Sequence, residues 1–203
     1  MVDYEKAIKR PFQDITKLVI GVVLNIIPIV NFVVIGYVLN CAKTAMKKDY
    51  TLPEWTDWLN LFIRGFIVVI IGLIYMLPFL IVMFTIAGSL VLTMIKGGSF
   101  SADIGWTGMI IAFVLALIAY YLLPAAIMEY VKEDFKLGAA FFKFNEITKR
   151  TFNRNYLIVW LFMVVYSTVL TICLSLIPVI GTAIGSFIAS VTAMTLFGEL
   201  YST

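Results

Sequence analysis

Histidine is absent from this sequence. That absence removes the Ser-His-Asp and Cys-His nucleophile arrangements, together with the commonest metal ligand. Cysteine is scarce: Cys41 and Cys173 stand alone, with no second pair to complete a zinc site of thiolates. One lies beside a basic segment and the other inside an apolar run, so both are expected to be free thiols used as small packing residues. Charge is thin as well. Lys, Arg, Asp and Glu supply 13% of the chain, against about 25% in an ordinary soluble domain, too little polar surface for a water-soluble globule of this length. A phosphate loop is missing: Lys96, Gly97 and Gly98 follow a long apolar run without the upstream glycines and read as a turn. Glu129, Glu133 and Asp134 remain as candidates for a lipid-modifying reaction or a divalent cation, and nothing in their spacing supports either. No enzymatic activity and no cofactor is therefore expected.

The N-terminal MVDYEKAIKRPF contains acids and lacks an apolar segment with a cleavage site, so it reads as mature protein rather than a secretory signal. The net charge of +3 comes from basic residues grouped between apolar runs. That grouping suits loops near anionic lipid, and it lacks the broad basic face that nucleic acid requires.

What is present is apolar: 62% of the chain, where soluble domains carry roughly 45–50%. The runs cover residues 18–41, 61–95, 106–128, 156–177 and 178–197. An internal match organises them. LNIIPIVNFVVIGYV at 24–38 aligns without a gap to LSLIPVIGTAIGSFI at 174–188, placing Pro28 on Pro178 and Tyr37 on Phe187. The second copy reads as two helices turning at Pro178, so the first is expected to be a hairpin turning at Pro28, with arms near 10–27 and 28–47. A single Pro-kinked span over 17–41 stays open as the alternative.

Charge argues for the hairpin. With two hairpins and one long span over 61–95, a single side collects Lys6, Lys9, Arg10, Lys17, Lys43, Lys47, Lys48, Arg64, Lys132, Lys136, Lys143, Lys149, Arg150 and Arg154. The other side carries Lys96. Such asymmetry makes both termini cytoplasmic in a multi-pass cell-membrane protein. The expected fold is all-α, a polytopic membrane helix bundle of about six spans in one domain over 1–203, with similar hairpins at its two ends. Splitting the long run at Pro78 would move the basic block 132–154 outside. Keeping it whole means 35 residues and about 52 Å of helix to fit a hydrocarbon core of about 30 Å. Pro78 in YMLP and Pro124 in YLLP place a proline beside a tyrosine in each central helix. They read as packing kinks, although the broken helices of transporters share this pattern.

Residues 51–60, TLPEWTDWLN, are a polar entry to the long span. Thr51 and Glu54 have capping-box spacing and Pro53 suits a first helical turn, so a helix carrying Trp55 and Trp58 on one side is expected. With Asp57 and Arg64 this forms an interfacial anchor at the depth of lipid headgroups. A pocket in which Glu54 or Asp57 meets a ligand is the competing reading. Arg64 either snorkels to phosphates or pairs with Asp57 or Glu54. Residues 129–154 form a cytoplasmic connection whose stretch 134–150 reads as an interfacial helix, capped by Asp134, with Leu137, Ala140, Phe141, Phe144 and Thr148 on one side. Lipid, the bundle itself or a soluble partner could cover that side. In the last span Gly181, Gly185, Ala189 and Ala193 recur every four residues, a ribbon for close helix packing within the chain or against a second subunit.

NIIPIVNFVVIGYV, TLPEWTDWLNLFIRG, YMLP, YLLPAAIMEYV and GAAFFKFNEI together resemble the archaeal membrane-protein family of unknown function DUF4013. The most specific piece is Leu52, Pro53, Glu54 and Trp55, with Trp58 three positions on and Gly65 beyond. The resemblance covers nearly the whole chain. It implies a multi-helix membrane architecture and an archaeal owner with ether lipids, and it carries no activity, cofactor or catalytic residue across. Two functions fit the residues: a non-enzymatic membrane scaffold or partner-binding subunit, in contact with lipid and with another membrane protein or a second copy; or a permease or pore for a small neutral or apolar solute.

Overall fold

The computed structural model describes residues 2–96, 102–177 and 179–202, with the side chains of 102–104 excluded. The turn expected at Gly97 and Gly98 and the turn residue Pro178 lie outside the described residues. Among those described, every regular element is a helix.

The chain opens with α1 (Tyr4–Lys9), capped by the Asp3 carboxylate on the Lys6 amide at 3.1 Å. A 3-10 turn at Arg10–Phe12 follows, then α2 (Ile15–Ile26), capped in the same way by Asp14 on the Lys17 amide. The chain reverses over residues 27–30, with Ile29 at φ 72°, and enters α3 (Asn31–Met46). The first apolar run is thus a hairpin and not a kinked span. Pro28 sits exposed in the turn, and the second arm begins at Asn31 rather than at Pro28, because the left-handed Ile29 breaks the helical run between them.

The long span is one helix, α4 (Trp58–Ile95), running through Pro78 for 38 residues. Its partner α5 (Ala102–Lys132) runs through Pro124. A proline inside a helix leaves the carbonyl four residues earlier without its amide. Here that carbonyl belongs to Tyr120, and the Trp160 indole N–H donates to it at 3.4 Å. The Tyr156 hydroxyl donates to the next carbonyl, Tyr121, at 2.7 Å. Pro124 is therefore held by an aromatic shelf from the neighbouring helix. After α5 come the short α6 (Ala139–Phe142) and α7 (Phe144–Thr151), then α8 (Arg154–Leu174) and α9 (Ile180–Leu200).

Four helices, α4, α5, α8 and α9, are long and apolar enough to cross a membrane. The shorter α2 has 12 residues and is about 18 Å long. Burial is organised around two clusters. One gathers Val22, Tyr37, Leu61 and Phe187 from α2, α3, α4 and α9. The other gathers Leu39, Ile71, Met128, Ile147, Tyr156 and Leu196 near the chain termini. Between α3 and α4 the backbones touch: a Cβ on Gly36 would collide with the Leu61 carbonyl, and one on Gly65 with the Phe32 carbonyl. Phe32 packs edge-on against Phe62 and Phe66 beside this contact.

Candidate functional site

The polar entry to α4 is a strap and not a helix. Residues 51–57 carry bends and no regular structure, and α4 starts only at Trp58, behind an Asp57 in the left-handed region that makes no side-chain cap. The expected capping box is absent. Thr51 instead turns its amide and hydroxyl onto Asp49 at 2.9 and 2.8 Å, and Glu54 pairs with Lys17 at 2.7 Å. The cause lies in three successive carbonyls. Arg10 donates to Thr51 O at 2.8 Å, Lys17 to Leu52 O at 3.0 Å, and the Tyr37 hydroxyl to Pro53 O at 3.1 Å. Carbonyls held by side chains from the first hairpin support an extended path, which the residue before Pro53 already favours.

The two tryptophans keep their rings 6.0 Å apart and differ in burial. Trp55 stacks on Tyr37, with ring centroids 3.8 Å apart and planes at 8°, and its indole nitrogen is buried. Trp58 opens α4 with 46% of its surface exposed. Arg64 pairs with neither Asp57 nor Glu54: it donates to Asn40 Oδ1 at 2.9 Å and lies 3.9 Å over the Phe135 ring. Removal of the Trp55 ring should cost roughly 3 kcal/mol of stability, as truncation of a packed aromatic does. Trp58→Ala and Glu54→Gln should each change the melting temperature little, since the exposed end of an ion pair contributes little. Thermal melts of the purified protein in detergent check this ranking. Loss of a cellular phenotype in Glu54→Gln at unchanged abundance would favour the ligand pocket instead.

Arg10, one of the basic residues flanking the first apolar run, is wholly buried. Its guanidinium donates to Cys41 O at 2.8 Å and Thr195 Oγ1 at 3.0 Å, as well as to Thr44 Oγ1 and Thr51 O. One planar fork thereby ties the start of the chain to α3, the strap and α9. The only sequence signal was its place, directly before Pro11 and the first apolar run.

The connection after α5 is broken in two. Asp134 and Phe135 lie at φ 52° and 63°, so Asp134 cannot cap a helix, and Lys143 interrupts α6 and α7. Ala139, Ala140, Ile147 and Thr151 are the buried residues, whereas Phe142, Phe144 and Phe152 face outward. The segment docks on its own bundle: Tyr75 donates to Ala140 O at 2.8 Å and Phe141 stacks on Tyr75. Three carboxylates at its start face a cation. Glu133 meets Lys143 at 2.6 Å, Asp134 meets Lys43 at 2.7 Å, and the buried Glu129 faces Arg150 at 3.4 Å. Lys143 and Lys43 hold the Glu133 and Asp134 carboxyls below the usual carboxylate range. The stabilisation of these two ties is thus complete above that range and lost as pH falls through the depressed values. Acidification should open residues 133–153 to protease before the rest of the chain.

The small residues of α9 face their own hairpin partner. A Cβ on Gly181 would strike the Leu174 carbonyl of α8, and one on Gly185 would stand 3.2 Å from Leu174 Cδ1. Ala189 and Ala193 border an apolar cavity of about 230 Å³ between α5, α8 and α9, with Pro124 and Trp160 opposite. Among the described residues no group of three or more His, Cys, Asp or Glu side chains comes together as a metal site would require.

The described residues thus form an all-helical fold whose four long apolar helices have the length and composition of membrane-spanning helices. The family described as "Protein of unknown function (DUF4013)" matches residues 20–179, and the chain belongs to it. No curated protein and no solved structure matches the chain.

Proposed function

We propose that this protein is a non-enzymatic membrane scaffold or partner-binding subunit, embedded as three helical hairpins with both termini on the cytoplasmic side. The observation that carries the reading is where the serine and threonine hydroxyls of α4 and α8 are bonded. A solute path needs polar groups free to face it. Thr85, Ser89 and Thr93 in α4, and Ser167, Thr168 and Thr171 in α8, all donate to carbonyls three or four residues earlier in their own helix. Tyr75 and Tyr121 are engaged by Ala140 O and Thr151 O. The outer parts of α4 and α5 meanwhile expose Phe84, Met94, Trp106 and Phe113, an apolar surface for lipid or for a second membrane protein.

Liposomes carrying the purified protein and loaded with small neutral solutes should release them no faster than empty ones. Solute-selective flux that Thr85→Val reduces with insertion intact would make the protein a permease. The orientation is tested separately. Single cysteines at positions 50, 145 and 202 should all be shielded from an impermeant thiol reagent in intact cells, and labelling at 145 would reverse the assignment of the basic loop.

A further inference from the structure

We infer that hairpin α2–α3 is re-entrant: it dips into the bilayer from the side of the chain termini and turns back inside the hydrocarbon, its apolar tip covered by acyl chains. The inference rests on the reading of the chain as membrane-embedded, and not on its function or on which face holds the termini.

Depth comes first. The open end of the hairpin is marked by the Lys17–Glu54 ion pair, in which the Glu54 side chain is 73% exposed. A carboxylate so exposed belongs among headgroups or water, not acyl chains. From Lys17 to Ile27 there are ten residues of chain, nearly all helix, or about 15 Å, half of a hydrocarbon core of about 30 Å. A tip at the far surface would drag that ion pair to mid-membrane.

The tip is also built for lipid. It reads Ile26, Ile27, Pro28, Ile29, Val30, and Ile29 exposes 66% of its surface. A turn emerging into water has no reason to show three isoleucines. Non-helical backbone at depth must find its own partners. Of the six amides from Ile27 to Val33, those of Ile27, Asn31, Phe32 and Val33 bond to nearby carbonyls at 2.9–3.3 Å, and Pro28 has no amide to satisfy. Of the two polar side chains close by, Asn25 gives its amide nitrogen to Ala183 O at 3.2 Å and Ser186 Oγ at 2.6 Å, whereas the Asn31 Oδ1 is buried without a partner.

Those same bonds set Asn25 level with the first turns of α9. The second hairpin therefore reaches a similar depth, and its tip shows Leu176, 86% exposed, with Ile177, Val179 and Ile180. The greater length of α9 is used at its other end, where Thr195 meets Arg10 and Glu199 accepts the Asp3 amide at 2.7 Å.

The test uses the full chain in vesicles. A nitroxide is placed on Ile29→Cys in a Cys173→Ala background, Cys41 being buried and left in place. Collisions with molecular oxygen and with a water-soluble nickel chelate are measured, with the chelate added outside or trapped within. Re-entry predicts strong oxygen and weak chelate contact from both faces, with a depth near the middle of the bilayer; a label on Leu176→Cys should behave alike. Chelate contact from the face opposite the termini would show that the hairpin crosses. Chelate contact from the terminus face would show that the tip lies in water. A label on Phe84→Cys in α4 separates these failures from a failure of membrane embedding itself, since it too would then meet chelate and lose its oxygen contact.

Discussion

Gly65→Ala should lose most of its folded yield, while the same substitution at Gly88, on the same helix, should be tolerated. At Gly65 the added methyl meets the backbone of α3 at Phe32 and comes within 3.0 Å of the Gly36 amide nitrogen. Backbone cannot turn aside as a flexible side chain can, and α3 has no slack behind it: on its other face a Cβ at Gly198 of α9 would fall 2.6 Å from Ala42 O. Overpacking of cores typically costs about 1–3 kcal/mol. With backbone on both sides of the contact, the upper end of that range is expected. At Gly88 nothing lies within 4 Å of the added carbon, so the helix should gain roughly 0.5–1 kcal/mol from alanine's better propensity. Gly36→Ala should fail as Gly65→Ala does. Melting in detergent, followed by helical signal and by the monodisperse fraction, reads both effects. Equal melting temperatures for Gly65→Ala and Gly88→Ala would mean that α3 and α4 are not in backbone contact.

Arg10→Met should be the other severe substitution. Methionine can fill the volume of the stem and cannot donate, so the Thr51 carbonyl loses its donor and the Cys41 carbonyl loses one. A hydrogen bond to a charged group is worth about 1.5–3 kcal/mol, and two such losses indicate roughly 3 kcal/mol or more. The strap should loosen with it, because Arg10 supplies the first of the three bonds that hold residues 51–53. Arg10→Lys should rescue only part of the loss, since an ammonium is a point charge and cannot reach four acceptors around a planar fork. Protease sensitivity near residues 49–57, compared between wild type, Arg10→Met and Arg10→Lys, reads the strap directly. Equal cleavage in all three would remove Arg10 from the account of that segment.

Hydropathy and spacing made the class legible from the residues alone. Long apolar runs, little charge and no histidine are properties of composition, and a helix is the economical structure for such runs because it satisfies its own backbone. The continuity of α4 through Pro78 and the reversal of the first apolar run near Pro28 were readable for the same reason. Each follows from local chain chemistry and from the distribution of lysines and arginines along the chain.

What tertiary structure alone decided was the fate of the polar groups between those runs. TLPEWTDWLN has the spacing of a helix start, yet residues 51–57 form no helix because Arg10, Lys17 and Tyr37 hold three consecutive carbonyls. Those donors stand 16 to 41 positions away in sequence, and no local propensity encodes them. Arg64 had acids within two turns and found Asn40 and Phe135 instead. Gly36 and Gly65 look like ordinary helix glycines until two backbones are brought together. In an apolar chain burial discriminates weakly among the many hydrophobic residues, so the arrangement is decided by scarce polar groups that must find partners and by the few places without a side chain where helices can touch.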